Sequence, residues 1–288
     1  MANENQNIIG AGQAAARRAP KINTITCGDC LEVMLGIPAK SVDMILCDLP
    51  YGITSCKWDS VLNLPELWKE YSRICKGAIV LTAGQPFTSA LIMSNPSVFK
   101  HEWIWIKNRG SNFANTVREP MKEHESILVF AYEKWTYNKQ MQERTGTGGD
   151  RVKYGVAFKS KSENYHNFEG RDHSMLPELR VPSSWQKFNT EVGLHPTQKP
   201  VALFEYLVRT YTNEGDTVLD NCIGSGTTAI ACINTGRNYI GIEKEEKYCR
   251  IVEERIHALR SPAQDTAEIC HTAPNTAMAK CQQVELCL

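Results

Sequence analysis

The chain has 288 residues, 42% of them hydrophobic, enough to bury a sizeable core in one catalytic domain with an inserted or appended module. Its 32 Lys+Arg balance 32 Asp+Glu, so global charge announces no nucleic-acid partner, and any such contact must come from a local basic face. Eleven cysteines suggest no disulfide framework, and no apolar run approaches the roughly 20 residues of a membrane helix, so a reduced, cytoplasmic compartment is expected.

Residues 1–21 form a polar, Ala-rich N-terminal segment without the apolar centre of a signal peptide. A β-prone run from Ile22 to Cys27 ends at Gly28-Asp29, and a helical turn follows from Cys30 to Leu35. Ser41 to Cys47 reads as an apolar run bounded by turn signals, as a buried parallel strand does. Asp48-Leu49-Pro50-Tyr51-Gly52 stands at its carboxyl end. Pro65 to Cys75 has Leu67, Trp68, Tyr71 and Ile74 at helical spacing. Ala78 to Thr82 predicts another buried strand, Phe87 to Met93 a helix, and Trp103 to Lys107 and Ser126 to Tyr132 two further strands.

From Lys134 to Asn189 the alternation stops. This stretch holds 10 Lys/Arg against 6 Asp/Glu, with aromatics interleaved from Trp135 to Phe188. A solvated surface insertion and a nucleic-acid-contacting region both fit that composition. Alternation then resumes: a helix over Pro200 to Tyr211, a strand over Thr217 to Asp220, a helix over Thr227 to Asn234 closed by Gly236, a strand over Tyr239 to Glu243, and a long helix over Glu245 to Leu259. The whole predicts an α/β domain with a mostly parallel sheet and helices on both faces. Residues 22–133 and 190–260 make the catalytic domain, 134–189 an insertion, and 261–288 a tail of weak periodicity.

Two constellations carry chemistry. In the first, the strand ending at Asp220 runs through Asn221-Cys222-Ile223-Gly224-Ser225-Gly226-Thr227 into a helix. Glycines at a strand-to-helix turn let the backbone approach a ligand closely. Glu243 ends the next strand, 23 residues beyond Asp220, where an acid can bond ribose hydroxyls. No Gly-Lys-Ser/Thr follows, and Ala229 replaces the third glycine of the dinucleotide fingerprint. A ligand with ribose and adenine but no pyrophosphate fits best, and S-adenosylmethionine is of that kind.

In the second, Asp48 to Tyr51 follow a parallel strand, where open α/β sheets place their sites. An exocyclic amino nitrogen is a poor nucleophile because its lone pair is delocalised into the ring. Asp48 can accept one of its N–H groups and the Leu49 carbonyl the other, which favours a pyramidal nitrogen. Pro50 stiffens the turn, and Tyr51 offers a ring for a base to stack on. A helix-capping Asp followed by a turn Pro is the plainer reading of the same four residues.

Asp48-Leu49-Pro50-Tyr51-Gly52 resembles the D/N/S-P-P-Y/F motif of amino-group DNA methyltransferases. His195-Pro196-Thr197-Gln198-Lys199-Pro200 is similar to the segment these enzymes place before their cofactor strand. Leu219 to Ala231 resembles their cofactor glycine loop. Catalytic motif first and cofactor loop last is the permuted order of the beta class, and the resemblance covers about Ile22 to Leu259. It implies a Rossmann-like S-adenosylmethionine-dependent methyltransferase fold acting on double-stranded DNA, at adenine N6 in preference to cytosine N4, with a homodimer as candidate assembly. By the same resemblance Asp29 and Cys30 contact the cofactor adenine. Thr197, Lys199, Asp220, Gly224, Gly226 and Thr227 lie near its amino acid end, Glu243 holds its ribose, and residues 134–189 choose the target sequence. Leu49 replaces the first Pro of the motif, and Asn221-Cys222 replaces the usual Pro-Phe. Methylation of RNA or of a protein glutamine shares the chemistry, but those enzymes usually place the cofactor loop first. A non-catalytic nucleic-acid-binding subunit would not need Asp48, Pro50, Tyr51, Gly224, Gly226 and Glu243 intact.

Overall fold

A computed structural model describes residues 19–52, 62–143, 179–191, 193 and 198–260. The N-terminal segment up to residue 18, residues 144–178 of the insertion, Thr197 and the tail from residue 261 lie outside the described residues.

Ten strands are described: β1 (Thr24–Cys27), β2 (Val42–Asp48), β3 (Cys75–Ala83), β4 (Phe99–Ser111), β5 (Lys122–Phe130), β6 (Gln142–Glu143), β7 (Leu179–Arg180), β8 (Trp185–Lys187), β9 (Thr217–Asp220) and β10 (Asn238–Glu243). Six α-helices accompany them: α1 (Cys30–Met34), α2 (Leu64–Ile74), α3 (Phe87–Ser94), α4 (Val201–Tyr211), α5 (Thr227–Asn234) and α6 (Glu246–Arg260). Eight strands form one sheet in the order β1-β10-β9-β2-β3-β5-β4-β8, parallel except where β5 pairs with β3 and β4. β6 and β7 make a separate antiparallel pair.

Period-two alternation explains why the strands read as unbroken apolar runs: both sheet faces are covered. In β2, Val42, Ile45 and Cys47 pack with residues of α1, α2 and α3, while Met44 and Leu46 pack with α4, α5 and α6. Each fully buried aliphatic side chain of such a strand contributes roughly 1.5–3 kcal/mol. The spacing of Leu67, Trp68, Tyr71 and Ile74 places all four in the core from α2. Asn63 caps that helix by accepting the Glu66 N–H.

Two elements exceed what the sequence pattern outlined. The hairpin β4–β5 is longer than its apolar centres, because the outer residues of both strands are exposed or half-buried and present no apolar run. β8 adds to the sheet edge in parallel to β4, with the Trp105 indole donating to the Phe188 carbonyl at 2.9 Å. The returning end of the insertion is therefore built onto the catalytic sheet. No described helix is long and apolar enough to cross a membrane.

β2 and β9 are neighbours, yet the chain proceeds from β2 outward to β3 and from β9 outward to β10. That boundary is a topological switch point, and the crevice beyond its carboxyl ends is where open α/β sheets hold ligands.

Candidate active site

Five adjacent strands deliver a row of polar groups to that crevice. Asp29 follows β1, Glu243 ends β10, Asp220 ends β9, Asp48 ends β2, and Thr82 lies on β3 opposite Asp48 in the register.

At the cofactor-side end, Glu243 is 9% exposed and uses one lone pair of each carboxylate oxygen locally. Oε2 accepts the Gly224 N–H at 2.9 Å, and Oε1 accepts the Glu245 N–H at 2.9 Å. Each oxygen keeps capacity for a hydroxyl. Gly224 and Gly226 have φ of 54° and 86°, left-handed values that glycine adopts freely. A Cβ on Gly226 would stand 2.7 Å from Val252 Cγ1, so the loop presses directly on α6. Thr227 begins α5 and its hydroxyl donates to the Lys199 carbonyl at 3.2 Å. Asp29 caps α1 by accepting the Leu31 N–H, leaving Oδ2 3.5 Å from the Lys244 ammonium.

Asp220 is 3% exposed and both its oxygens are engaged inside the loop it precedes. Oδ1 accepts the Cys222 N–H at 3.1 Å and Oδ2 accepts the Thr228 hydroxyl. Burial pushes its carboxyl up to about 7 against the counter-pull of those donors. In this geometry Asp220 braces the glycine loop. Asn221 is locked by the Tyr71 hydroxyl, which donates to its Oδ1 at 2.6 Å. The Cys222 thiol neighbours those of Cys30 and Cys47, and the Cys222 contact, followed by burial, raises Cys30 far above the ordinary thiol range. Cys27 and Cys30 have Cys-x-x-Cys spacing, but both are free: Cys27 is exposed with its thiol toward the Lys244 carbonyl, and Cys30 is buried.

At the other end, Asp48 is ringed by donors. Its Oδ1 takes the Tyr51 hydroxyl at 2.8 Å and the Thr82 hydroxyl, and its Oδ2 takes the Lys199 ammonium at 2.6 Å. Leu49 is buried in the core, which fixes the turn carrying its backbone. The Tyr51 ring stacks on Phe87, centroids 5.3 Å apart at 23°, and Lys199 Nζ stands over that ring at 5.8 Å. Burial, and after it the neighbouring Asp48, raise the Tyr51 phenol well above its ordinary range, so it acts as a donor.

The structure brings in two residues that the sequence reading passed over. Glu125 on β5 lies 3.4 Å (Oε2) from the Lys199 ammonium, and its Oε1 binds Lys107 of β4. Both lysines are buried, with side chains 6% and 8% exposed. Burial alone would lower Lys199 and raise Glu125. The ion pairs reverse both: Asp48 and Glu125 hold Lys199 up, while Lys199 and Lys107 hold Glu125 down. Neither Lys107 nor Glu125 belongs to a motif, and only strand pairing places them here.

The donor set fits S-adenosylmethionine. A glycine turn with left-handed φ values meets a buried acid that keeps acceptor capacity for a hydroxyl, and the rim of Asp29, Glu243 and Asp48 suits a ligand bearing sulfonium and ammonium charges.

Residues 42–254 match the N6_N4_Mtase family model, described as DNA methylase. The type II methyltransferase M.HinfI of Haemophilus influenzae is 28% identical over 276 residues, 85% of this chain and 71% of that protein. The DNA adenine methyltransferase YhdJ of Escherichia coli is 27% identical over 278 residues, 90% of this chain and 91% of that one. Among solved structures, the M1.HpyAVI–SAM complex superposes with a TM-score of 0.55 at 25% identity, over 81% of this chain and 98% of that one. The cytosine-N4-specific PvuII DNA methyltransferase shares the fold with a TM-score of 0.57 at 14% identity.

Proposed function

The chain belongs to the N6/N4 DNA methylase family, an S-adenosylmethionine-dependent DNA methyltransferase, and from that premise we propose methyl transfer to adenine N6 in double-stranded DNA. The observation that carries the reading is the Asp48 carboxylate at the switch point, one chain turn from a half-buried Tyr51 and beside the glycine loop. The preference for adenine over cytosine N4 is supported by Asp at the first motif position and by the likeness to an enzyme named as a DNA adenine methyltransferase.

The cofactor, when bound, supplies an electrophilic methyl group. Glu243 would hold its ribose, the Gly224–Thr227 turn would pass close to it, and Asp29 and Cys30 would border its adenine. A base inside a duplex cannot bring its amino group to Asp48, so the target must leave the stack. Tyr51 then receives the ring. Asp48 and the Leu49 carbonyl accept the two amino hydrogens, freeing the nitrogen lone pair and stabilising the positive charge that grows on nitrogen as it reacts. Thr82 and the Tyr51 hydroxyl fix Asp48 Oδ1, so the carboxylate is oriented before the base arrives. Target choice falls to residues 134–189, supported by their basic excess and interleaved aromatics.

Mass spectrometry of nucleosides from DNA methylated by the protein tests this. N6-methyladenine is expected, and N4-methylcytosine alone would overturn the choice of base. Light scattering of the protein with and without DNA tests a homodimer.

A further inference from the structure

In the described structure both oxygens of Asp48 are engaged, and one lone pair of Oδ2 stays open. The Tyr51 and Thr82 hydroxyls share Oδ1, and the Lys199 ammonium sits on Oδ2. The same ammonium stands over the Tyr51 ring. A base stacked on Tyr51 with its amino group on Asp48 would meet Lys199 at both places. The open lone pair of Oδ2 serves a stacked base only if the ammonium clears the face of Tyr51, and a buried ammonium leaves Asp48 only for another anion.

Such a place exists. Glu125 Oε2 is buried and accepts no hydrogen bond from any described residue, while Lys107 anchors the other oxygen of the same carboxylate. Its one charged neighbour among the described residues, the Lys199 ammonium, forms an ion pair with it that lacks hydrogen-bond geometry, which leaves the acceptor under-satisfied. Lys199 Nζ is only 3.4 Å from it, so a small shift of a flexible side chain completes the hydrogen bond. The Lys199 backbone stays fixed meanwhile, because its carbonyl accepts the Thr227 hydroxyl and the next residue, Pro200, is the N-cap of α4.

We infer that Lys199 is a two-position plug: it caps Asp48 Oδ2 in the absence of the target base and transfers to Glu125 Oε2 when the target amino group arrives. Glu125 is the positioning residue for this exchange, acting through Lys199 and not on the base. The arrangement keeps a buried carboxylate paired while it waits, and it keeps the displaced ammonium paired afterwards, so neither state leaves an isolated buried charge. Lys107 keeps the receiving carboxylate in place, and the separate pull of two lysines on Glu125 keeps it anionic.

This inference rests on Asp48 being the acceptor of the target amine, and the test separates the two. Wild type, Glu125→Gln, Lys199→Met, the double variant and Asp48→Asn are compared on unmethylated genomic DNA with tritiated cofactor, and cofactor affinity is titrated by calorimetry. With Glu125→Gln the ammonium stays on Asp48, and kcat is expected to fall about tenfold or more, the scale of one lost charged hydrogen bond, with cofactor Kd unchanged. Removing the plug as well should restore part of that loss, so Glu125→Gln/Lys199→Met is expected to turn over faster than Glu125→Gln alone. A merely structural Glu125 predicts the opposite order. Wild-type turnover in Glu125→Gln, a double variant slower than the single one, or loss of cofactor binding in Glu125→Gln each overturns the plug. Normal turnover in Asp48→Asn would instead overturn the underlying reading of Asp48.

Discussion

Glu243 and Gly224 lie 19 residues apart and are joined by one hydrogen bond, 2.9 Å from the Gly224 nitrogen to Glu243 Oε2. It ties the end of β10 to the loop after β9, so the acid proposed to hold the ribose and the glycine turn are joined as one unit. Glu243→Ala removes both the proposed ribose acceptor and this tie. Cofactor affinity is expected to fall by roughly ten- to a hundredfold, the equivalent of one hydrogen bond to a charged group. Titration calorimetry checks it, and an unchanged Kd would remove Glu243 from the cofactor site.

Gly226 touches Val252 so closely that it tolerates no Cβ, and its φ of 86° is left-handed. Gly226→Ala should cost roughly 2–4 kcal/mol from backbone strain and overpacking together. Adding Val252→Ala relieves the clash but not the strain. The double variant should therefore unfold at a higher temperature than additivity of the two single changes predicts. Strict additivity in thermal melts would mean that the contact does not constrain the loop.

Asp48→Ala removes the acceptor without touching the glycine loop. Methyl transfer should fall below detection while cofactor Kd stays within about twofold, because only interactions made with the reacting amine are lost. Near-normal turnover is the outcome that would unseat Asp48.

Asp220 offers a pH signature. Its carboxyl stands at 3.8 in the unfolded chain and about 7 in the fold, so the native state holds the proton longer. Between those values the folded protein binds more protons than the unfolded one, and its stability falls as pH rises, with a slope approaching about 1.4 kcal/mol per pH unit. Asp220→Asn, permanently neutral, should flatten that part of the curve and narrow its deficit to wild type as pH rises toward 7. Parallel denaturation curves for the two proteins from pH 4 to 8 would show that Asp220 is ionised throughout.

Residues 134–189 are expected to carry target choice. Exchanging them for the corresponding segment of a relative with a different target should move the methylated site, read by methylation-aware sequencing, and leave cofactor affinity intact. An unchanged methylated sequence would place target choice elsewhere.

Local sequence determined the central sheet and half of the site. Val42–Asp48, Thr217–Asp220 and Asn238–Glu243 are legible because strands buried on both faces carry apolar residues at successive positions through their middles. The glycines of the cofactor turn and the Asp48–Tyr51 motif are legible because backbone conformation and amine chemistry each demand particular residues at adjacent positions. Tertiary structure alone decided what surrounds Asp48. Lys199 is 151 residues away in the chain, and Glu125 and Lys107 lie in a hairpin whose polar residues look like ordinary solvated strand positions. Their burial and pairing follow from the order in which strands assemble, a long-range property that no local period records. The same holds for Asp220, which reads as a ligand-facing acid at a strand end. Only the fold, by wrapping its own loop around it, turns that carboxyl inward and raises its affinity for a proton.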